Sequence, residues 1–427
     1  MAVNMKDNNK TLFDFDSDSD KKTNWRTESI INQSMFLEVL SKIEQLNENN
    51  KVKFEIQKII EVIKNPRKDD FGLLNICSNG DTAKVNKDIL LEELKQIVDA
   101  QTIERAKYYI TRLKKSLTEI KTSKINDLNL NRWKEYDDIL TESLWILDKR
   151  DKSGAHNAGY WGNFIPQIPN QFLRRYTKQG EWILDAFLGS GTTLIECKRL
   201  GRNGIGVELS PEVVEIANKN ISKEENKFNV KTEIITADST ELNFKQELEK
   251  RNIKSVQFLI MHPPYWNIIK FSNHKKDLSN AKSVEEFLNL FGKVVDNTYD
   301  ILDKGRYFAV VIGDKYSQGE WIPLAFYTMN EVLKRGYILK STIIKNFEET
   351  KGKMNQKELW RYRALVGGFY IFKHEYIFLF KKVKKKLWEY RQRGFLWGIY
   401  FLALSHSPAA RFGGMGRGGL AVVIYEY

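Results

Sequence analysis

Cysteine, proline, histidine and long apolar runs are all scarce in this 427-residue sequence. The only two cysteines, Cys77 and Cys197, lie far apart, which argues against a disulfide scaffold and favours the reducing cytoplasm as location. No apolar run reaches roughly 20 residues, and the first residues are rich in Asp, Asn and Lys, so we expect neither a membrane span nor a secretory signal. The five histidines show no metal-ligand spacing, and we expect no metal site.

The net charge is +13, but the excess is unevenly placed. Residues 381–427 hold nine Lys or Arg against two Glu, which leaves the part of the chain before Lys381 with only +6. Bulk charge is therefore weak evidence for a polyanionic partner. A nucleic-acid partner has to be inferred from motifs instead.

Composition and periodicity divide the chain into four regions. Residues 1–25 are polar and charged, and are predicted to be disordered. Residues 26–150 repeat apolar residues at three- and four-residue steps, which predicts a helical accessory region. Residues 151–383 alternate short apolar runs with helical patterns, which is typical of βαβ units. Residues 384–427 form a basic, apolar and Gly-rich tail that we expect to be peripheral.

The βαβ pattern predicts an α/β fold with strands and helices in alternation. The predicted strands are Trp182–Phe187, Gly204–Glu208, Thr232–Ala237, Val256–Met261 and Tyr307–Ile312. The predicted helices are Thr192–Leu200, Pro211–Asn220, Val284–Leu302 and Ile322–Arg335. Two later segments, Ser341–Asn346 and Tyr370–Lys381, alternate like antiparallel strands.

The strongest local signal is a strand that runs into a Gly-x-Gly turn and then opens a helix, at residues 185–193. The glycines permit positive φ and close approach of a ligand, and the helix N-terminus offers free N–H groups. A P-loop would need a Gly-Lys pair, and a dinucleotide fingerprint would need Gly where the chain has Leu194. The remaining interpretation is the shorter turn that holds S-adenosylmethionine. Its predicted contacts in this loop are Asp185, Phe187, Gly189, Ser190, Gly191 and Thr192.

Two further acids follow the next two predicted strands. Glu208 ends the second strand, where a carboxylate can accept both ribose hydroxyls of a nucleoside. Asp238 ends the third strand and could accept from the adenine amino group. We predict that both residues bind the cofactor.

A second motif, His262-Pro263-Pro264-Tyr265, follows the fourth predicted strand. The two prolines remove two N–H donors and leave carbonyl acceptors. A base amino group that donates its hydrogens there concentrates its lone pair on nitrogen, ready to attack a sulfonium methyl in line. The base has to leave the stack to reach the loop, which costs a few kcal/mol, and an aromatic platform such as Tyr265 returns about 1–3 kcal/mol. These four residues are the predicted catalytic residues.

Residues 185–193 together with Pro263-Pro264-Tyr265 resemble the DNA amino-methyltransferases, which modify cytosine N4 or adenine N6. Residues 162–169 resemble the element that precedes the cofactor loop in that family and helps hold the methionine moiety. That likeness implies cofactor contacts for Phe164 and Pro166. The resemblance covers about residues 140–383, and implies a seven-stranded Rossmann-like sheet whose last strand is antiparallel.

His262 departs from the family pattern, which usually has Asp, Asn or Ser before Pro-Pro-Tyr. A neutral imidazole can accept a hydrogen bond through one ring nitrogen, and a protonated one cannot. We therefore expect activity to fall as pH drops through a pKa near 6.5, the ordinary value for histidine. His262 also leaves the identity of the target base open.

Two basic segments suit a nucleic acid. Lys351–Arg363 interleaves cations with Trp360 and Tyr362, so cations could meet phosphates while the rings meet bases. Ile269–Asn280, directly after the catalytic loop, is also polar and basic. A solvated, amphipathic loop explains the first segment equally well, whereas the second lies where the substrate has to pass.

Three functions stay open at this point. The first is a DNA methyltransferase, solitary or paired with a separate restriction endonuclease, since the sequence shows no evident nuclease domain. The second is an RNA methyltransferase that acts on a guanine amino group. The third is a nucleic-acid-binding module with a dead site, an alternative that His262 motivates.

Overall fold

The computed structural model describes residues 28–65, 69, 72–74, 81–147, 149–157, 159–160, 162–347 and 357–383. The predicted disordered segment 1–25 and the predicted tail 384–427 lie outside these residues. The chain divides into two compact units, one of residues 1–124 with 128–139 and the other of residues 125–127 with 140–427. None of the described helices is long and apolar enough to cross a membrane.

The first unit is mainly helical, with a short antiparallel strand pair. The apolar residues whose helical spacing predicted this region pack into one core, which includes Phe36, Leu40, Ile43, Ile59 and Ile60. The strand pair was not predicted, because its two strands are short and two helices separate them along the chain. The helices are α1 (Gln33–Glu44), α2 (Asn49–Lys64), α3 (Lys87–Val98) and α4 (Ile103–Thr118), and the strands are β1 (Glu28–Asn32) and β2 (Thr82–Asn86).

The second unit is built on one mixed sheet of eight strands in the order β3-β11-β12-β8-β7-β4-β5-β6. Its central strands are apolar on both faces, as expected for parallel strands covered by helices. The strands are β3 (Leu144–Trp145), β4 (Trp182–Asp185), β5 (Asn203–Glu208), β6 (Thr232–Thr236), β7 (Val256–Met261), β8 (Leu302–Ile312), β11 (Tyr337–Asn346) and β12 (His374–Lys382).

Seven α-helices, two short 3-10 helices (Trp266–Ile268 and Leu278–Asn280) and one hairpin complete the described part of this unit. The hairpin joins β9 (Lys315–Ser317) to β10 (Glu320–Ile322) through Gln318 and Gly319, which both have positive φ. The helices are α5 (Gln167–Tyr176), α6 (Thr192–Leu200), α7 (Pro211–Ser222), α8 (Phe244–Lys250), α9 (Val284–Tyr299), α10 (Leu324–Lys334) and α11 (Lys357–Gly367).

The α/β class and the methyltransferase-type sheet are confirmed, and the last strand, β12, is antiparallel to both of its neighbours. The strand count of seven was wrong by one. The eighth strand, β3, has two residues and pairs in parallel with β11 at the sheet edge. It is held by Trp145, which is buried and whose indole N–H donates to the Glu142 carbonyl at 3.0 Å. So short a strand shows no periodicity in the sequence.

Two predicted helix boundaries also need correction. Leu302 was placed at the end of a helix, but it is the first residue of β8, and α9 ends at Tyr299. Ile322 was placed at the start of a helix, but it pairs with Lys315 in the hairpin, and Pro323 precedes α10. In both places an apolar residue fitted either periodicity, so pattern alone did not decide.

Candidate active site

A cleft of about 870 Å³ opens at the carboxyl ends of β4, β5, β6 and β7. This is the edge of an open α/β sheet where ligands usually bind. The loops that follow these strands supply Phe187, Glu208, Asp238 and His262 to its wall. The topology thus brings the two sequence motifs, which lie far apart along the chain, into one cavity.

The cofactor loop is a tight turn in which two glycines have left-handed backbone angles and which a buried carboxylate stabilises. Gly189 and Gly191 have φ of +54° and +93°, a region in which side chains are strained. A Cβ at Gly191 would also lie 2.9 Å from the Ile221 side chain. Asp185 is fully buried and accepts from the Phe187 N–H at 3.0 Å and the Thr193 hydroxyl at 2.6 Å. Its carboxylate therefore holds the turn together, and its contact with a cofactor stays a prediction.

Glu208 closes the loop from the neighbouring strand. Its carboxylate accepts from the Gly189 N–H at 2.9 Å and from the Ser210 N–H at 3.0 Å. Burial raises the pKa of Glu208, and these two N–H groups partly counteract that rise. Each carboxylate oxygen still has lone pairs free for a hydroxyl donor in the cleft.

Asp238 presents an acceptor that the described residues do not satisfy. One oxygen, Oδ1, accepts from both the backbone N–H and the hydroxyl of Thr240 at 2.8 Å. The other oxygen, Oδ2, is buried and has no hydrogen bond among the described residues, although the Lys276 ammonium lies 3.9 Å away. A buried acceptor without a donor is costly, so this oxygen is suited to a donor that a ligand brings.

The segment before α5 closes the cleft beside the cofactor loop. Asn163 accepts from the Thr192 hydroxyl at 2.6 Å, which ties this segment to the start of α6. Phe164 lines the cleft and packs its ring edge-on against His262, with ring centroids 5.1 Å apart. A Cβ at Gly162 would lie 2.6 Å from the Phe271 ring, and φ there is +79°, so glycine is required.

The predicted cofactor residues fall into two groups. Five of them line the cleft itself: Phe164, Phe187, Gly189, Glu208 and Asp238. The other five do not line the cleft, namely Pro166, Asp185, Ser190, Gly191 and Thr192. The last four belong to the cofactor loop, whereas Pro166 is the N-cap of α5. The four predicted catalytic residues, His262, Pro263, Pro264 and Tyr265, all line the cleft.

The catalytic loop is held in place by a chain of hydrogen bonds that reaches into the sheet. His262 Nε2 lies 3.1 Å from the Tyr265 hydroxyl, which donates to Glu375 Oε2 at 2.7 Å. Glu375 Oε1 in turn accepts from Lys345 Nζ at 2.9 Å. Lys345 and Glu375 face each other directly across β11 and β12. Sequence reasoning missed both residues; a Lys directly after Ile343-Ile344 and a Glu directly before the apolar run 376–380 are the signal that could have found them.

Burial changes the expected protonation of His262. Burial lowers the pKa of its imidazole to about 4, and nearby Lys345 adds to that effect while Glu375 opposes it. The neutral form therefore persists well below pH 6.5. The expected loss of activity near pH 6.5 is corrected accordingly: the acceptor form is present throughout the neutral range.

The ratio of wild-type to His262→Asn activity on DNA should stay constant from about pH 8 to about pH 5.5, because neither acceptor titrates there. Rates are measured at saturating cofactor, since burial raises the pKa of Asp185 in the cofactor loop to about 6. The ratio cancels any such contribution. A ratio that falls around pH 6.5 would mean that the His262 imidazole keeps its ordinary pKa and is not desolvated as described.

One part of the cleft wall is aromatic. Tyr316 and Phe369 stack at 4.4 Å between ring centroids, and Trp360 of α11 also lines the cleft. Arg363 lies 5.2 Å from the Trp360 ring, so part of the predicted basic and aromatic segment does reach the cleft. Residues 351–356 of that segment lie outside the described residues. Of the other basic segment, Ile269 and Lys276 line the cleft.

A family model described as DNA methylase matches residues 1–219 and 256–406, which is more than half of the sequence. The chain belongs to the DNA methylase family. This confirms the resemblance seen in the two motifs. The match also extends beyond residues 140–383 on both sides, so the flanks that resembled nothing are largely part of the family pattern.

Shorter similarities link this DNA methylase to curated relatives. It is 50% identical over 52 residues to Type II methyltransferase M.MjaII of Methanocaldococcus jannaschii, over 12% of this chain and 10% of the relative. It is 39% identical over 100 residues to Type II methyltransferase M2.DpnII of Streptococcus pneumoniae, over 22% of this chain and 34% of the relative. The chain thus spans about a third or less of the length of these relatives. The structure of TrmN from Thermus thermophilus matches with a TM-score of 0.34 and 16% identity, over 52% of this chain and 49% of that one.

Membership in the DNA methylase family implies S-adenosylmethionine as cofactor. The residues present fit that molecule. The unsatisfied oxygen of Asp238 suits an amino donor, and the Glu208 carboxylate suits a pair of hydroxyls. Gly189 has positive φ and leaves its backbone accessible next to Glu208. A Cβ at this position would lie only 3.3 Å from the Tyr160 ring.

Proposed function

We propose that this protein transfers a methyl group from S-adenosylmethionine to an exocyclic amino nitrogen of a DNA base, either N4 of cytosine or N6 of adenine. The observation that carries the proposal is the shared cleft. The acceptors of His262 and Pro263 line the same cavity as Glu208, Asp238 and the cofactor loop. Two motifs with complementary chemistry therefore meet where a methyl donor and an amino group would have to meet.

The cofactor would lie along the carboxyl ends of β4, β5 and β6. Glu208 would accept the two ribose hydroxyls, Asp238 Oδ2 would accept from the adenine amino group, and Phe164 would cover the methionine end. When bound, S-adenosylmethionine supplies an electrophilic methyl group on its sulfonium. Gly189 and Gly191 both have positive φ and no side chain, so the backbone of this loop would be able to contact the cofactor closely.

Asp238→Asn should weaken S-adenosylmethionine binding by about 1 kcal/mol, the scale of one lost hydrogen bond. Oδ1 keeps accepting from Thr240, so the new amide nitrogen takes the position of Oδ2 and points a donor at a donor. Titration calorimetry measures the effect. Asp303→Asn is the matched control, because Asp303 bonds to Gln257 and does not line the cleft. Equal affinities for the two variants would contradict the adenine contact.

The catalytic loop would orient the target amino group through acceptors alone. His262 and the Pro263 carbonyl would take its two hydrogens, which leaves the nitrogen lone pair directed toward the cofactor. The ring of Tyr265 is fixed by its bond to Glu375, and it lines the cleft where a base would enter. The base has to be flipped out of the duplex, and the aromatic wall around Phe369 offers surfaces that return part of the unstacking cost.

Exposed cations around the cleft suit the DNA backbone. Lys270 and Lys275 follow the catalytic loop and are exposed, and so are Arg361 and Arg363 of α11. Such residues position a duplex through its phosphates without reading its sequence. Binding should therefore weaken steeply as salt concentration rises.

DNA is favoured over RNA as substrate by the family match and by relatives that are named Type II methyltransferases. A dead binding module is disfavoured because the half-buried His262, whose pKa is lowered by desolvation, stays neutral and still offers an acceptor. A separate restriction endonuclease stays a prediction for the partner. A cytoplasmic location would follow from action on the DNA of the cell.

The proposal is tested by expressing the full chain in a host that lacks adenine-N6 and cytosine-N4 methylation. Digestion of the host DNA to nucleosides should reveal one of these two modified bases, and single-molecule sequencing should place it in a fixed motif. Tyr265→Ala serves as the inactive control. Methylated guanine amino groups in RNA, with unmodified DNA, would favour the RNA alternative. Cofactor binding without either product would favour the dead module.

A further inference from the structure

Four side chains form one continuous hydrogen-bonded chain from the sheet to the cleft. Lys345 and Glu375 are 6% and 9% exposed, and they lie side by side on β11 and β12. Tyr265 connects Glu375 to His262, which directly follows the carboxyl end of β7. A buried ion pair contributes little to stability compared with apolar residues of the same size. Stability of the sheet core therefore does not explain why an ion pair is present at this position.

The direction of each hydrogen bond in this chain is fixed by chemistry. A lysine ammonium can only donate and a carboxylate can only accept, so Glu375 takes hydrogens from both sides. The single hydroxyl hydrogen of Tyr265 is used by Glu375. The Tyr265 oxygen can then only accept from His262, which requires the hydrogen of the neutral imidazole to be on Nε2. The lone pair is therefore on Nδ1.

Nδ1 makes no hydrogen bond among the described residues, and His262 lines the cleft. The ring is also held against rotation. Phe164 packs on it edge-on at 5.1 Å between centroids, and Tyr265 also packs on it edge-on at 5.5 Å. Only the Nδ1 atom is left for a ligand in the cleft.

We propose that Lys345 and Glu375 are positioning residues, which act through Tyr265 to keep His262 in the Nε2–H tautomer so that Nδ1 accepts a hydrogen from the target amino group. The inference rests on the proposed function for the identity of that donor. An ionised Asp, one of the residues usual at this position of the family, accepts in every orientation, whereas imidazole presents an acceptor or a donor depending on its tautomer. The ion pair in the sheet removes that ambiguity.

Glu375→Gln should reverse the whole chain. Lys345 can face only the amide oxygen, so the amide nitrogen has to donate to the Tyr265 oxygen. The hydroxyl hydrogen of Tyr265 then turns to His262 Nε2, and the imidazole hydrogen moves to Nδ1. The cleft now meets a donor in place of an acceptor.

The tautomer is read by NMR on the full protein labelled with ¹⁵N-histidine, without cofactor or DNA. Among the signals of the five histidines, those of His262 are the ones missing in His262→Asn. We expect wild-type His262 to be protonated at Nε2 and the Glu375→Gln protein to be protonated at Nδ1. Glu247→Gln is the matched control, since Glu247 also bonds to a lysine but does not line the cleft. It should leave the His262 signals unchanged.

Tyr265→Phe is the second variant and keeps the aromatic ring. Without the hydroxyl, His262 should lose its fixed tautomer and show a mixture of both forms. On DNA, Glu375→Gln should lower kcat by about tenfold, which corresponds to about 1.4 kcal/mol, with unchanged cofactor affinity. Protonation at Nδ1 in the wild type, or identical tautomers in wild type and both variants, would overturn the inference. Because the NMR result does not depend on turnover, it separates this inference from the proposed function.

Discussion

Methyl transfer to DNA should fall at least about 100-fold when Tyr265 is replaced with alanine, the scale for removing a positioned group from an active site. The change removes the ring that lines the cleft and the hydroxyl that connects His262 to Glu375. Affinity for S-adenosylmethionine should be nearly unchanged, because the proposed cofactor contacts lie on other strands. Single-turnover kinetics and calorimetry measure the two quantities separately.

Tyr327→Ala is the matched control for this prediction. Tyr327 is an exposed tyrosine of α10 that does not line the cleft, so its loss should leave both quantities unchanged. Tyr265→Ala with wild-type turnover would show that the chemistry takes place elsewhere. A loss of cofactor affinity as large as the loss of rate would instead mean that the catalytic loop belongs to the cofactor site.

Glu208→Ala should weaken S-adenosylmethionine binding by about 1.5–3 kcal/mol, or about 10- to 150-fold, the range for hydrogen bonds to a charged group. The variant loses the proposed acceptor for the ribose hydroxyls. It also leaves the N–H groups of Gly189 and Ser210 without their partner, so the cofactor loop itself should loosen. Calorimetry on the purified variant measures the loss.

Glu233→Ala is the matched control. It shows whether removing any acidic residue weakens cofactor binding, apart from the lost ribose contact and the loosened loop of Glu208→Ala. Glu233 lies on the adjacent strand β6 and pairs with Arg251 at 2.8 Å, away from the cleft. We expect the Glu233→Ala variant to bind S-adenosylmethionine with the affinity of the wild type. A thermal melt of Glu208→Ala in the absence of cofactor reports the loosening of the loop alone. If Glu208→Ala binds the cofactor as the wild type does, the ribose assignment is wrong.

The elements around the cofactor loop could be predicted from sequence because their signals are local. Helix Thr192–Leu200 has the predicted bounds, and Gly191 and Gly201 flank it with positive φ. The next helix begins at Pro211 as predicted, with Ser210 as its N-cap, and strand Val256–Met261 also has the predicted bounds. In each case the residues that start or stop the element lie within a few positions of it.

The parts that could not be predicted depend on residues far apart in sequence. Lys345 and Glu375 lie on different strands, and only the antiparallel register of β11 and β12 places them together. The low pKa of His262 is likewise a property of the folded environment, because desolvation by its neighbours is its largest cause. A sequence motif gives the residue types of such a site, and packing decides which protonation state each of them takes.

The most direct test of the central claim is transfer of an isotopically labelled methyl group from S-adenosylmethionine by the purified full chain. Duplex DNA and total RNA are offered separately, and the products are digested to nucleosides and identified by mass spectrometry. The account predicts label in DNA only, on N6 of adenine or N4 of cytosine, and none with Tyr265→Ala. Label on a ring carbon of cytosine, or label confined to RNA, would contradict it.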